Sequence, residues 1–173
     1  MTSYSHFADA SALINASVLS VFDFLDDQSN LSMHMSKPSP MMLGTTMRIY
    51  MDELQTRTVG SKFGFTGRIL GIPLAVDEVV VGREPPSRKT WETLGEPRLW
   101  VIGRYRMGFE LTPEPGGTRV RVYIDYDRPS AGLPRLLGRL FGGMYARWCT
   151  RQMVVDAQRH FADAGTAPRS LPA

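Results

Sequence analysis

The sequence predicts an α+β domain: an antiparallel sheet with one apolar face, covered by one long C-terminal helix. Three observations carry that expectation. From about Gly44 to Asp127 apolar residues recur at period two, as strands buried on a single face require. Between Leu133 and Phe161 the period changes to that of a helix. That stretch is also the only long helical candidate able to cover the sheet.

Taken in order, "HFADASALI" (His6 to Ile14) reads as a first strand. In "NASVLSVFDFLDD", Val18, Val21, Phe22 and Leu25 recur at helical spacing, with Asn15 or Ser17 placed to cap the start. A second short helix is expected over "SNLSMHM", ended by Pro38 and Pro40. Met47, Ile49 and Met51 then alternate against Arg48, Tyr50 and Asp52, and Phe63, Phe65 and Ile69 against Lys62, Thr66 and Arg68. "GIP" is a turn before the strand "LAVDEVVVG", and "REPPSR" another turn, because paired prolines cannot join a ladder. After "KTWETLG", the clearest strand is "RLWVIGRYRMGFEL", with Leu99, Val101, Tyr105, Met107, Phe109 and Leu111 on one parity. "PEPGG" turns it into "TRVRVYIDYD", where Val120, Val122, Ile124 and Tyr126 oppose charged residues.

At 173 residues one domain is expected, over 1–164, with 165–173 as a frayed tail. No apolar run reaches the roughly 20 residues of a membrane helix, so no integral membrane segment is expected. The N-terminus lacks a secretory signal pattern, which makes the cytoplasm the default address. The single cysteine, Cys149, leaves no internal disulfide and no CxxC motif. Net charge is only +3 and the basic residues, nearly all arginine, are dispersed, which argues against nucleic acid as a partner. His34 between Met33 and Met35 offers too few donors for a soft metal site, and neither metal nor cofactor is expected.

The order of strand, two short helices, about six antiparallel strands and a long helix resembles the START-like or SRPBCC superfamily. That group includes Bet v 1-like, polyketide cyclase/dehydrase and lipid-transport proteins. "INASVLSVFDFLDD" looks like its entry into the first helix, "DEVVVGREPPSRKTWET" like its strand–proline turn–strand segment. "GRYRMGFELTPEPGGTRVRVYIDY" looks like its last long hairpin, and "YARWCTRQMVVDAQRHF" like the end of its closing helix. The resemblance implies a helix-grip fold, a curved sheet of about seven strands wrapped around the C-terminal helix. It also implies a cavity between them for a small, mostly apolar molecule. It transfers no catalytic set residue by residue.

The inward parity places Phe63, Phe65, Trp91, Tyr105, Met107 and Phe109 where such a cavity would lie, unless they simply fill a solid core. Six of the ten methionines, Met33, Met35, Met41, Met42, Met47 and Met51, would form an adaptable lip or a loosely packed flap. Projecting the helix at roughly 100° per residue gathers Leu136, Leu137, Leu140, Met144, Trp148, Val154 and Val155 in one apolar arc. Arg147 and Arg151 fall inside that arc. A buried guanidinium needs an internal carboxylate, an escape to water, or an acidic ligand. Met144, Arg147, Trp148 and Arg151 therefore join the candidate ligand-binding residues. Cys149 projects away from the arc and has no histidine within sequence reach, so a structural or incidental role is expected.

Three functions fit. A binder or carrier of a small hydrophobic, possibly acidic, lipid- or polyketide-like molecule needs a closed apolar pocket with at most one polar anchor. A polyketide cyclase/dehydratase-like enzyme needs groups for proton transfer beside a carbonyl, for which Tyr105, Glu78 and Arg147 are the conceivable players. An interaction module or membrane-associated regulator, with the methionine-rich region as a contact surface, would have a filled core and its apolar patch outside. The binder is the leading expectation; a pocket carboxylate unpaired with arginine would favour the enzyme.

Overall fold

The structure is a computed structural model that describes residues 3–36, 46–69 and 71–166, with side chains to 163. Its elements run β1 (His6–Ile14), α1 (Val18–Asp26), α2 (Gln28–Leu31), α3 (Met33–Ser36), β2 (Met47–Met51), β3 (Lys62–Ile69) and β4 (Ile72–Glu84). Then follow β5 (Arg88–Thr93), β6 (Tyr105–Glu114), β7 (Gly117–Tyr126) and α4 (Gly132–Thr166). All seven strands join one antiparallel sheet in the order β1-β7-β6-β5-β4-β3-β2. The curved sheet, the short helices after β1 and the long C-terminal helix form the helix-grip architecture expected from the sequence.

The period-two residues do what their spacing dictates. Thr118, Val120, Val122, Ile124 and Tyr126 are buried along β7, and Phe63 and Phe65 along β3. The opposite face carries ion pairs: Arg121 binds Asp9 at 2.8 Å and Glu110 at 3.0 Å, and Arg106 binds Glu92 at 2.9 Å. Ser17 is the cap of α1, its hydroxyl accepting from the Ser20 N–H at 3.2 Å. The second short helix is split at Ser32 into two four-residue pieces, α2 and α3. Pro38 and Pro40, expected to end it, and Met41 and Met42 of the expected lip lie outside the described residues, as does the tail beyond 166.

One strand is shorter than its pattern. The reading of Arg98 to Leu111 as continuous strand fails before Tyr105. Arg98 bridges to Ala75, and the Gly103 N–H donates to Asp127 O at 2.8 Å, which bends 99–104 across the sheet's end and buries Ile102.

The larger correction concerns α4. The residues that face the sheet are Gly138, Gly142, Ala146, Cys149, Thr150, Met153 and Ala157, all buried. A Cβ at Gly142 would come within 2.7 Å of Val101 O, and one at Gly138 within 2.8 Å of Pro129 Cδ. Close approach thus demands small residues, which a hydrophobic projection undervalues. The large apolar residues of the projected arc turn outward in the helix's first half: Leu136, Leu140 and Met144 are 55, 64 and 45% exposed. Arg147 and Arg151 are exposed with them, so of the three outcomes open to them it is the one in water, not an internal ion pair, that the helix realises.

Candidate functional site

Between the sheet and α4 lies a small internal cavity of about 40 Å³, room for a few water molecules rather than a ligand. Its walls come from α2, α3, β2 to β7, the 99–104 segment and α4. Of the sequence candidates, Phe65, Trp91, Tyr105 and Met107 line it. Phe63 and Phe109 are buried but pack elsewhere: Phe63 meets Phe65 edge to face, and Phe109 meets Phe22 with centroids 5.6 Å apart. Trp148 is half-buried behind the wall, edge-on to His34 at 5.4 Å. Met144, Arg147 and Arg151 face solvent, outside the group that the structure brings together. Met35 and Met47, from the methionine-rich region, line the cavity.

The polar groups of the cavity set it apart from the rest of the core. Glu78, an inward residue of β4, is 1% exposed. Its Oε1 accepts the Tyr105 hydroxyl at 2.9 Å, whereas Oε2 has no hydrogen-bond partner of regular geometry. No arginine, lysine or histidine forms an ion pair with it among the described residues. Burial therefore dominates and pushes its pKa up to about 8, with Tyr105 and then Trp91 pulling back and Asp77 adding to the rise. At neutral pH this carboxyl is mostly protonated. Tyr105, buried against it, is raised well above the ordinary tyrosine value by burial and by the carboxylate.

Cys149 and His34 meet here too, Sγ to Nε2 at 3.3 Å. The fold supplies the histidine that sequence distance withheld, and it turns Cys149 inward rather than away. The pair is not a nucleophile and its base, however. Burial, and then the Glu78 charge, lift the thiol to about 12. Burial lowers His34 to about 4 despite support from the Leu31 carbonyl. Both groups are neutral near pH 7. No cluster of three or more metal-ligating side chains occurs among the described residues.

A second, open cleft of about 900 Å³ lies at the same end of the sheet. It runs between the 96–104 segment, the start of β4 at Ile72 and Pro73, the 127–131 connection and Pro134 of α4. Leu99 and Ile102 line both the cleft and the inner cavity, so these two side chains are the partition between them. The cleft has the volume of a small-molecule site, and the cavity has the buried polar groups.

A grip of sheet on helix, with a polar group at the inner end of an apolar space, defines a class of proteins that share shape more than chemistry. This chain belongs to the polyketide cyclase/dehydrase and lipid transport family, whose profile matches residues 6–159. Solved structures agree on the fold. TTHA0849 from Thermus thermophilus superposes with a TM-score of 0.65 at 16% identity, over 93% of this chain and 100% of that one. Ms6760 from Mycobacterium smegmatis gives 0.61 at 12% identity, over 94 and 98% of the two chains. The di-domain ARO/CYC StfQ of the steffimycin biosynthetic pathway gives 0.66 at 12% identity, over 94% of this chain and 52% of that one. A search of curated proteins finds no match.

Proposed function

We propose that this chain binds a small, largely apolar and uncharged molecule that enters by the open cleft and ends at Glu78 and Tyr105. The observation that carries the reading is the buried Glu78 carboxyl on the cavity wall, one oxygen of which has no hydrogen bond of regular geometry and which has no ion-pair partner among the described residues. A neutral carboxyl can donate to a carbonyl or hydroxyl oxygen, which makes it an anchor for a ketone, phenol or alcohol. It is a poor neighbour for a second carboxylate. The acidic ligand allowed by the sequence loses its reason once Arg147 and Arg151 stand in solvent. Filling the site requires Leu99 and Ile102 to part, since the inner cavity alone is too small.

Trp91 is a built-in reporter. In a Trp100→Phe/Trp148→Phe background its fluorescence would be titrated with a medium-chain methyl ketone and the matched carboxylic acid. Saturable quenching by the ketone, with the ionised acid at least about tenfold weaker, is the expected result. Equal affinity, or tighter binding of the acid, would overturn the anchor. Widening the partition with Leu99→Ala should speed the ketone's association and leave its chemical preference unchanged.

A second reading, an enzyme, is the one that a pocket carboxylate unpaired with arginine favours, and Glu78 is such a group among the described residues, with a pKa near 8. A carboxylic acid poised near neutrality suits proton transfer, as in a cyclase or dehydratase. In a dehydration, Glu78 would protonate a β-hydroxyl leaving as water, and its carboxylate would take the proton from the carbon next to the carbonyl. Glu78→Gln separates the readings. Ketone binding would survive, whereas turnover of a β-hydroxy ketone would fall by about two to four orders of magnitude.

A further inference from the structure

The solvent face of α4 carries an apolar stripe that the cavity does not use. Leu133, Leu136, Leu140, Phe141 and Met144 are each between 43 and 64% exposed, on the outer side of the helix's first three turns. Soluble monomers seldom leave so many large apolar side chains together in water. The charges around the stripe have one sign. Between Asp127 and Asp156 the sequence holds five arginines, at 128, 135, 139, 147 and 151, and no carboxylate.

All five are exposed, and Arg147 and Arg151 continue the stripe one and two turns further along. Arg128 precedes the helix, and Arg135 and Arg139 project from its other sides, so Arg147 and Arg151 are the cations that share the stripe's face. Sheet arginines are neutralised by Glu92, Asp9, Glu110 and Glu114, but among the described residues none of these five is in a short ion pair. This face is therefore complementary to something both apolar and anionic.

We propose that the outer face of α4 docks on an anionic lipid bilayer. Leu133, Leu136, Leu140, Phe141 and Met144 would lie below the headgroups, with the arginine heads among the phosphates and their stems along the apolar boundary. A second copy of the chain would bring the same Arg147 and Arg151 and no countercharge from this face. An anionic bilayer satisfies both properties at once. The geometry also links the surface to the cleft, because Arg128, Pro129 and Pro134 form part of the cleft wall. A docked helix would hold the mouth close to the bilayer, where apolar molecules partition. The docking surface does not depend on what the inner cavity binds, and its test uses no cavity ligand.

The full chain would be sedimented with phosphatidylcholine vesicles and with vesicles containing about a third phosphatidylglycerol. Binding to the anionic vesicles is expected at least about tenfold above the neutral ones, and it should weaken steeply with salt. Leu136→Glu/Leu140→Glu and Arg147→Gln/Arg151→Gln should each lower it by about tenfold or more with no change in melting temperature. Equal sedimentation with both vesicles, or insensitivity to the leucine substitutions, would overturn the proposal. So would a dimer in light scattering that the leucine substitutions dissociate while vesicle binding is absent, since the face would then belong to a second copy.

Discussion

Asp26 and Glu78 are both buried carboxylates, and they are buried in opposite ways. Asp26, at the end of α1, is 5% exposed and sits between Arg83 at 2.8 Å and the fully buried Lys89 at 3.1 Å. Lys89 also donates to Asp26 O at 2.6 Å and Thr56 Oγ1 at 3.1 Å. Burial pushes the Asp26 pKa up, but Arg83 and Lys89 together hold it below the ordinary value. Glu78 has the Tyr105 hydroxyl, a weaker pull from Trp91 and no cation among the described residues, and burial raises it to about 8. The first arrangement is closed, with donors and charges matched inside the protein. The second keeps an unspent oxygen facing a cavity. A buried charge with all its partners argues for architecture; a buried acid without them argues for a site.

The contrast breaks most sharply at Asp26. Asp26→Ala leaves Lys89 buried without a countercharge and should destabilise the protein by about 3–5 kcal/mol in urea unfolding. A loss below about 1 kcal/mol would mean the cluster is not closed. Glu78 behaves in reverse. Its folded pKa lies above its unfolded one, so the native state holds the extra proton between about pH 4.5 and 8 and stability falls as pH rises through that window. Glu78→Gln should remove that slope and stabilise the protein by roughly 1–3 kcal/mol at pH 8. Unfolding curves collected from pH 5 to 9 for both proteins would show parallel profiles if Glu78 were already ionised.

His34 supplies the opposite limb. Its folded pKa is depressed to about 4, so the unfolded state takes up the proton first and stability drops as pH falls from about 6.5 toward 4. His34→Asn should flatten that limb, by up to about 1.4 kcal/mol per pH unit. The smallest effect belongs to the helix surface. Arg147→Gln/Arg151→Gln should change stability by no more than about 0.5 kcal/mol, because both guanidinium groups are exposed and neither is in an ion pair among the described residues. A cost of several kcal/mol would restore the internal ion pair that the sequence pattern suggested.

Legibility in the sequence followed the physics of each element. Strand parity is a strict alternation, so the inward residues of β7 and β3 could be read one by one, and Phe65, Trp91, Tyr105 and Met107 of that parity lie in the cavity wall. The face of α4 could not be read the same way. Its contact with β1 and the Val101 backbone selects Gly138, Gly142 and Ala146, so the bulky residues that define an apolar arc mark the wrong side. Glu78 could be named beside Tyr105 as a conceivable proton-transfer group, but not as a buried acid without a cation. Its isolation depends on which cations fail to reach it, and that is a property of the assembled sheet. The pairing of Cys149 with His34, 115 residues apart, left no signal in either local sequence.

The central claim is that Glu78 is an acid, not an anion, in the folded protein at neutral pH. Difference infrared spectra of the wild-type protein against Glu78→Gln, recorded from pH 5 to 10, report its protonation directly. A protonated-carboxyl stretch present at pH 7 and lost as pH passes through about 8 is the result predicted. A carboxylate stretch already complete at pH 6 would contradict the account and leave the cavity without its neutral anchor.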